Sequence, residues 1–359
     1  MPELVAGGAS WYLGAALDGG PDIDGDGVPD LLVSATGHGS GAGATWLVSG
    51  AAVSGSATVR PDDVALVEVA GDVPGTYSGA AAVFLGDVMG DGGTWYAVSA
   101  PYADAGGYAG AGSVHLFDGG ERGSLRLADA EARVEGYFGG ATLGNRLSTA
   151  GDVDGDGVDD YVSSFGAGDL AVVVPGGGSS PRLPDDALFR LTGTGAGETG
   201  ECTMIGDLDG DGVRELACIE AYATLRLYML LGADRVRTVD EASVTVQYGE
   251  GAFGDTLLDL GDLDGDGLDE TFVPLSWSPD LGSAVAAVLE GSALSFGAEV
   301  DLLDAPLLAV ASRGGGYGDR GSLVGDVDGD GSADIALGGA LDDAGGTAAG
   351  GVVTIPVPE

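Results

Sequence analysis

The chain has 359 residues, 70 of them glycine, and a formal net charge of −44 at neutral pH; its 13 basic residues are all arginine. This acidity argues against nucleic-acid and anionic-membrane binding, because phosphate groups are held by clusters of lysine and arginine. The sequence has no run of 18 uninterrupted apolar residues, so it predicts no membrane insertion. Collagen is excluded as well, since the glycines follow no G-x-y period.

A short acidic motif recurs along the chain and sets its organisation. The copies are 55 to 65 residues apart, and the clearest one, DVDGDGVDD, contains five aspartates. A fixed period of this length is typical of repeat proteins, in which each copy is one supersecondary unit. The six copies occupy residues 22–30, 87–95, 152–160, 207–215, 262–270 and 326–334.

Each copy of the motif is surrounded by the same short apolar runs. In the first unit an aromatic–glycine segment, WYLGAAL, precedes the loop, and LLVSA, ATWLVSG and ALVEVAG follow it in that order. The runs have strand length and are rich in β-forming residues, and no long segment keeps a helical period. Each unit of about 60 residues therefore predicts a four-stranded antiparallel sheet.

Six such sheets in series predict an all-β fold, a six-bladed β-propeller that forms a single domain over residues 1–359. The last unit lacks a clear fourth strand, whereas residues 2–7 resemble the fourth-strand segment at 67–72. We therefore expect residues 2–7 to complete the sixth blade and to cover the strand edge at the seam of the ring. The alternatives are a seven-bladed propeller, an open solenoid and a piece of a longer array.

The acidic loops have the composition of a calcium site. Positions one, three, five and nine carry carboxylates, position seven offers a main-chain carbonyl, and position six is always glycine, which permits a sharp turn. Hard oxygen ligands in a flexible loop suit Ca²⁺ better than Mg²⁺, and the loops contain no histidine or cysteine that would favour zinc or copper. The predicted ligands are Asp22, Asp24, Asp26, Val28, Asp30, Asp152, Asp154, Asp156, Val158, Asp160, Asp207, Asp209, Asp211, Val213, Glu215, Asp262, Asp264, Asp266, Leu268, Glu270, Asp326, Asp328, Asp330, Ser332 and Asp334.

The loop at residues 87–95 departs from this pattern. Met89 and Trp95 replace two ligands and leave Asp87 and Asp91, so we expect this loop to be empty or weakly occupied and the chain to bind about five Ca²⁺ ions. An EF-hand begins with the same motif but needs a glutamate at position twelve, which none of the copies has. The loops are therefore predicted to be hairpins between strands, in which calcium has a structural role.

The aromatic–glycine segment, the D-x-D-G-D-G-x-x-D loop and a strand ending near SAP at residues 99–101 together resemble the FG-GAP repeat. This is the β-propeller repeat of integrin α-subunit headpieces and related extracellular proteins, and the resemblance covers essentially the whole chain. It implies a propeller, usually of seven blades, with Ca²⁺ in hairpins on one face and partners on the opposite face. We expect an extracellular or cell-surface location, where millimolar calcium would fill even weak sites.

Aromatic residues are expected in the turns opposite the acidic loops. If they are exposed, they could hold a peptide or stack on a sugar. The sequence favours the other possibility, in which an aromatic residue before glycine wedges between blades. The residues concerned are Trp11, Tyr12, Tyr77, Tyr102, Tyr108, Tyr137, Phe138, Tyr248, Phe253 and Tyr317.

Two functions fit these features. The first is a calcium-stabilised extracellular adhesion or protein-interaction module that resembles the integrin α propeller. The second is a carbohydrate-binding propeller, an accessory domain of a larger surface protein or hydrolase. In both, a protein or glycan ligand would lie on the face opposite the calcium loops. We do not expect an enzyme, because no known catalytic motif is present and neither His38 nor His115 has a recognisable catalytic partner.

The two cysteines of the chain, Cys202 and Cys218, flank the fourth acidic loop. A hairpin centred on Asp211 would place Cys218 opposite Met204, one step away from Cys202. The sequence therefore favours two buried free thiols over a disulfide, which a shifted register would allow.

Overall fold

The described part of the chain is almost entirely β-structure, with a few short helical turns. A computed structural model describes residues 5–8, 10–54, 58–166, 169–178, 180–192, 201–210, 212–220, 224–228, 236–238, 242, 244–247, 252–253, 257–262, 265–277, 285–291, 299–301, 307–309, 317–325, 334–339 and 351–356. The chain divides into two compact units: unit 1 is Met1–Thr199 with Asp234–Arg237, and unit 2 is Gly200–Ala233 with Thr238–Glu359.

The strands follow one another closely along the chain. Up to residue 192 they are β1 (Leu13–Gly19), β2 (Leu31–Ala35), β3 (Ala44–Val48), β4 (Ala65–Ala70), β5 (Ala82–Gly86), β6 (Trp95–Ala100), β7 (Ser113–Asp118), β8 (Gly123–Arg126), β9 (Ala132–Glu135), β10 (Leu147–Gly151), β11 (Asp160–Ser164), β12 (Asp169–Val174) and β13 (Phe189–Thr192). From residue 201 they are β14 (Glu201–Met204), β15 (Leu216–Glu220), β16 (Thr224–Tyr228), β17 (Val236–Thr238), β18 (Val244–Gln247), β19 (Ala252–Phe253), β20 (Leu258–Gly261), β21 (Glu270–Trp277), β22 (Val285–Leu289), β23 (Glu299–Asp301), β24 (Leu307–Ala309), β25 (Tyr317–Gly325), β26 (Asp334–Gly339) and β27 (Gly351–Pro356).

These strands form six sheets, each of which is an antiparallel meander at its centre. The meanders are β1-β2-β3-β4 in sheet 1, β5-β6-β7-β9 in sheet 2, β10-β11-β12-β13 in sheet 3, β14-β15-β16-β18 in sheet 4, β21-β22-β24 with β19 and β20 both on β21 in sheet 5, and β25-β26-β27 in sheet 6. Each acidic loop joins the first strand of its meander to the second, so the loops are hairpin connections between strands. The arrangement fits a β-propeller-like fold.

Some sheets carry a fifth strand, which the sequence did not predict. Strand β8 adds to β4 of sheet 1, β17 to β13 of sheet 3 and β23 to β18 of sheet 4. Each of these strands lies in the connection between the third and fourth strands of the next sheet. The β4–β8 and β18–β23 pairs are parallel. Strands β8 and β23 thus tie sheet 1 to sheet 2 and sheet 4 to sheet 5 by main-chain hydrogen bonds.

The helical turns are short and lie in connections. In the described residues they are α1 (His38–Gly41), α2 (Gly50–Ser54), α3 (Pro61–Val64) and one 3₁₀ turn, Leu127–Asp129. None of the described helices has the length and apolar character needed to cross a membrane.

Sheet 2 is packed on both faces, which explains the nearly continuous apolar character of its strands. Side chains alternate along β6, so Tyr96 and Val98 join a buried cluster with sheet 1, whereas Trp95 and Ala97 join one with sheet 3. Burial of each large apolar side chain contributes about 1.5–3 kcal/mol. Face-to-face packing of successive sheets is the main source of stability in unit 1.

The prediction of two free thiols is wrong. Cys202 lies directly opposite Cys218 in the β14–β15 pair, and the two form a disulfide with a Cα–Cα distance of 4.1 Å. Met204 is opposite Leu216 rather than Cys218, because the centre of the hairpin is Gly210 and not Asp211. The disulfide therefore closes the strand pair that carries the fourth acidic loop.

The predicted pairing of residues 2–7 with the last sheet falls partly outside the described residues. Val5 is described, and its main-chain N–H donates to the carbonyl of Val59 at 2.9 Å. The closure of a ring at this point stays a prediction.

His115 in β7 makes the stability of unit 1 dependent on pH. The ring is buried, with Nδ1 3.0 Å from the carbonyl of Leu127 and Nε2 2.9 Å from Ser113 Oγ. A carbonyl can only accept, so Nδ1 carries the proton of the neutral ring. Burial lowers the pKa of His115 to about 4 from 6.5.

We predict that His115 contributes stability above pH 6.5 and that this contribution is lost as the pH falls toward 4, because the unfolded chain binds the proton first. The full effect is about 3 kcal/mol. Denaturant unfolding of the wild type and of His115→Gln at pH 7 and pH 5 measures it. The stability difference between the two proteins should shrink by about 2 kcal/mol at pH 5, and a pH-independent difference would contradict the assignment.

Candidate metal centre

The first acidic loop is shaped by hydrogen bonds from its own main chain to Asp22. Oδ1 of Asp22 accepts from the N–H of Gly25 at 2.7 Å and Asp26 at 3.0 Å, and Oδ2 accepts from Gly27 at 2.7 Å. Gly25 and Gly27 have positive φ angles of 79° and 90°, which glycine adopts without strain. The chain therefore wraps tightly around the first predicted ligand.

The ninth residue of the loop, Asp30, is fully buried and joins three segments of sheet 1. Its Oδ2 accepts from the N–H of Ile23 at 2.9 Å, and its Oδ1 accepts from Gly50 at 3.0 Å. Ile23 belongs to the loop, and Gly50 follows β3, the third strand. The carboxylate thus fixes the loop against the end of the hairpin that follows it.

The loop at residues 152–160 repeats this arrangement almost atom for atom. Oδ1 of Asp152 accepts from Gly155 at 2.7 Å and its Oδ2 from Gly157 at 2.9 Å. Asp160 is buried and accepts from Val153 and Gly176, both at 2.8 Å. In the fourth loop, Asp207 accepts from Gly210 and Gly212, and the buried Glu215 accepts from Leu208. One sequence pattern therefore builds one local structure.

The predicted ligands at positions one, three and nine come together in three loops. One carboxylate oxygen from each residue lies within 4.8 Å of the others in the sets Asp22–Asp24–Asp30, Asp152–Asp154–Asp160 and Asp207–Asp209–Glu215. Three hard oxygen donors at this separation, with a fourth carboxylate and a carbonyl nearby in the sequence, fit the ligand preference of Ca²⁺.

The remaining predicted ligands either lie outside these three clusters or belong to loops that the structure describes only in part. Asp26 and Asp156 at position five do not join these clusters; each turns Oδ1 to the N–H of position seven, Val28 or Val158, at 2.9 Å. In the fifth loop Asp262 accepts from Gly265 and Gly267 as in the others, Asp266 accepts from Leu268, and Glu270 is buried. Val213 lies within the fourth loop, and Asp334 begins β26. Predicted ligands outside the described residues are Asp211, Asp264, Asp326, Asp328, Asp330 and Ser332.

The charges in these loops are held at unequal electrostatic cost. The N–H of Gly27 and its neighbours lower the pKa of Asp22. Burial and, to a smaller extent, the charges of Asp154 and Asp156 raise the pKa of Asp160 to about 6, although hydrogen bonds from Gly176 and Val153 act to lower it. A buried carboxylate beside two others is costly to ionise unless a cation neutralises it. The donor set therefore fits a divalent cation, which would offset this cost.

The loop at residues 87–95 is completed without a third carboxylate. Asp87 still accepts from the main chain, at Asp91 and Gly92, both at 2.9 Å. Position nine is Trp95, whose indole Nε1–H donates to Asp91 Oδ1 at 3.1 Å. Hydrogen bonds from Gly93 and then Trp95 lower the pKa of Asp91. An indole donor thus takes up a carboxylate oxygen of this loop, and its low occupancy stays a prediction.

Position eight has a role that sequence reasoning missed. The main-chain N–H of Asp87 donates to Asp159 Oδ2 at 3.0 Å, and the N–H of Asp159 donates to the carbonyl of Asp87 at 3.3 Å. Asp207 and Asp269 form the same reciprocal pair at 2.8 and 2.9 Å. An aspartate at position eight therefore joins its loop to the first residue of the preceding loop. The sequence feature that could have indicated this role is a second acidic residue, DD or DE, at positions eight and nine of the motif.

A glycine after the third strand is a second feature without a predicted role. A Cβ atom at Gly50 would lie 1.9 Å from the carbonyl oxygen of Pro29, and one at Gly176 would lie 2.3 Å from that of Asp159. Only glycine lets this segment approach the loop closely enough to donate to the position-nine carboxylate. The glycine that ends runs such as LVSG and VVPG could have indicated it.

The predicted aromatic residues divide between the two expected roles. Trp11 stacks on Trp46, and Tyr137 and Phe138 pack against Phe165 as wedges. Tyr12, Tyr77, Tyr102 and Tyr108 are instead 68%, 43%, 54% and 48% exposed. For Tyr248, Phe253 and Tyr317 no side chain is among those described.

We predict that Asp154→Asn removes about one calcium ion from the chain, because it takes one negative ligand from a three-carboxylate cluster. The side chain can keep its bond from the N–H of Asp156, so the loop should stay folded. Asp91→Asn in the loop at residues 87–95 is the matched control and should leave the stoichiometry unchanged. Calorimetric titration of both variants decides; equal stoichiometry in Asp154→Asn and wild type would contradict the assignment.

Comparison with known families supports the repeat. A search of curated proteins finds no match to the chain. Residues 13–48, which contain β1, the first acidic loop, β2 and β3, match the family model of the FG-GAP repeat. The match is consistent with an FG-GAP repeat protein.

Proposed function

We propose that this protein is a calcium-stabilised extracellular interaction module, built as a single closed six-bladed β-propeller that resembles the integrin α headpiece. The observation that supports it best is the recurrence of a three-carboxylate cluster, with ligand oxygens within 4.8 Å of one another, in three hairpin loops. A cluster of this kind would self-repel without a cation, and Ca²⁺ accepts such oxygen ligands in flexible loops.

In this proposal the calcium ions are structural. Each ion would hold the loop between the first two strands of a sheet, and the position-nine carboxylate would pass that restraint to the end of the third strand. About five ions would reduce the formal charge from −44 to about −34 and relieve repulsion where it is densest. In the loop at residues 87–95, the hydrogen bond from the Trp95 indole to Asp91 would take the place of the calcium ion in holding the loop.

The closure of the ring is supported by the contact at Val5. Residues 49–64 connect the third and fourth strands of sheet 1, and this is the kind of connection that supplies β8 to the fourth strand of the preceding sheet. The hydrogen bond from Val5 to Val59 is what we expect if residues 2–7 serve as the fourth strand of a preceding sheet. In a six-bladed ring that sheet is sheet 6.

An extracellular location agrees with two features of the chain. The Cys202–Cys218 disulfide is stable in oxidising compartments and rare in reducing ones. Loops with three or four carboxylates would be filled at the millimolar calcium found outside cells. A scaffold of this kind would present its connecting loops to a protein partner, and the proposal assigns it no catalytic reaction.

We predict that calorimetric titration gives about five bound Ca²⁺ ions per chain and that calcium raises the melting temperature. A ligand that binds the folded state alone stabilises it by about 2.7 kcal/mol per site at 100 times its Kd. The melt is compared in excess EDTA, in Mg²⁺ and in Ca²⁺. A stoichiometry near zero would contradict the proposal, whereas six ions would contradict only the assignment of the loop at residues 87–95.

A carbohydrate-binding propeller is the second candidate, and a pair of exposed tyrosines favours it. The rings of Tyr77 and Tyr102 lie edge to face with centroids 5.6 Å apart, and both are partly open to solvent. Such rings can stack on the apolar faces of a sugar.

If this second function is correct, a glycan array probed with the labelled chain should give signals that Tyr77→Ala with Tyr102→Ala abolishes. Val73→Ala, which also removes an exposed apolar side chain, is the control and should retain them. If the chain gives no signal on the glycan array but binds on a peptide array, the result favours the interaction module. Release of reducing sugar from a polysaccharide panel would contradict the non-catalytic role.

A further inference from the structure

The fourth strand of sheet 2, β9, has an open edge where its neighbours are covered. Sheets 1, 3 and 4 each gain a fifth strand from the connection that follows in the next sheet. The corresponding connection for sheet 2 is residues 175–188, and none of its described residues is in a strand. Among the described strands β9 pairs with β7 alone. An uncovered strand edge is a template for another extended chain.

The main chain of β9 directs unpaired groups toward this edge. The N–H of Gly136 donates to Gly112 across the β7 side at 2.9 Å. Because hydrogen-bonded positions alternate along an antiparallel pair, Val134 also faces β7, and Arg133 and Glu135 point their N–H and C=O groups the other way. No described main-chain partner meets them there.

Sheet 1 shows how such an edge is filled. The N–H of Gly71 donates to the carbonyl of Gly43, just as the N–H of Gly136 donates to that of Gly112. Counting back from Gly71 and Gly136 therefore matches the residues of β4 with those of β9, position by position. In β4 the outward residues Glu68 and Ala70 are paired in parallel with β8, at Ser124 and Arg126. The four residues of β8 are therefore a template for a chain that would add to β9.

A cleft of about 560 Å³ lies along the open edge and is large enough for a short extended peptide. Its lining includes Tyr108, Arg133, Glu135 and Arg182. Glu135 holds the cleft together, since Oε1 pairs with Arg133 at 2.7 Å and Oε2 accepts from the N–H of Gly106 at 3.1 Å. The cleft is thus formed by fixed side chains on two connected sheets of unit 1.

The charge of the cleft is opposite to that of the chain. Arg133 and Arg182 outnumber the one acidic residue, Glu135, in a chain with a net charge of −44. The guanidinium of Arg182 forms no ion pair with any residue that the structure describes. An acidic side chain on the occupant would complete this site.

We propose that the cleft binds an acidic extended segment of a partner protein, which adds to β9 as a parallel fifth strand. In β8, Ser124 faces solvent opposite Glu68, and Leu125 packs toward the core opposite Val69. By the same register the segment carries an acidic residue opposite Arg133 and an apolar residue opposite Val134. This inference deepens the interaction role proposed above and rests on it.

The test uses fluorescein-labelled decapeptides that contain Gly-Glu-Leu-Arg, which is β8 with glutamate in place of Ser124, and measures binding to the full calcium-loaded chain by fluorescence anisotropy. In a parallel pair, the main chain of Arg133 would bond the peptide residues on either side of the glutamate that lies opposite it. The leucine N–H would therefore donate to β9, and the glutamate N–H would point away from it. N-methylation of the leucine should weaken binding at least about tenfold, and N-methylation of the glutamate less than about threefold. Equal losses would overturn strand addition.

Variants of the protein test whether the cleft prefers an acidic peptide. Arg182→Ala should weaken the glutamate peptide about tenfold and leave a Gly-Lys-Leu-Arg peptide no weaker than before. Arg60→Ala, at an exposed arginine outside the cleft, is the matched control and should change nothing. An unchanged affinity in Arg182→Ala would overturn the acidic preference. Concentration-dependent dimerisation that competes with the peptide would overturn the partner segment in favour of a second copy of the chain.

The peptide result is separable from the calcium result. Sheet 2 carries the loop that we expect to be empty or weakly occupied, so binding is measured again in EDTA at a temperature where the chain stays folded. Peptide binding without calcium would support the open edge and leave the calcium proposal to its own titration. Calcium binding with no affinity for any of the peptides would overturn the edge proposal alone.

Discussion

A buried carboxylate ends each of the four intact acidic loops whose position-nine side chain is described, and it is the constraint on which the rest of the structure depends. Asp30 and Asp160 are shut off from solvent, and no described arginine pairs with either. The described partners of both are main-chain N–H groups. At Asp160 these hydrogen bonds do not compensate for the loss of solvation, since burial raises its pKa to about 6. The proposed cation would supply the missing compensation, and it would hold the loop, the second strand and the third strand at one point.

This local restraint extends from sheet to sheet within each unit. The position-eight aspartates, Asp159 and Asp269, join a loop to the one before it, and strands β8 and β23 join sheet 1 to sheet 2 and sheet 4 to sheet 5. Apolar side chains on both faces of sheet 2 fill the space between. Within unit 1 the sheets are therefore linked at the loops and through the core, and sheets 1 and 2 also at a strand edge. A framework linked in this way is suited to present a fixed binding surface, such as the cleft beside β9.

Sequence reasoning predicted the features that depend on a repeated local pattern. The acidic loops, their place between the first two strands and the meander after them follow from periodic motifs and strand-length runs. Features that depend on register or on distant segments were missed. The fifth strand β8 pairs with residues more than 50 positions away, and nothing in Gly123–Arg126 indicates its partner. The disulfide depended on a hairpin centre displaced by one residue, and the exposure of Tyr77 or Tyr102 depends on packing that a motif does not encode.

The central claim is that a divalent cation lies among the carboxylates at positions one, three and nine. The most direct measurement is anomalous diffraction from crystals grown in calcium, at a wavelength where calcium scatters strongly. The account predicts peaks within coordination distance of Asp152, Asp154 and Asp160 and in the other intact loops, with no strong peak at residues 87–95. Density for water alone among these aspartates in calcium-rich crystals would contradict it.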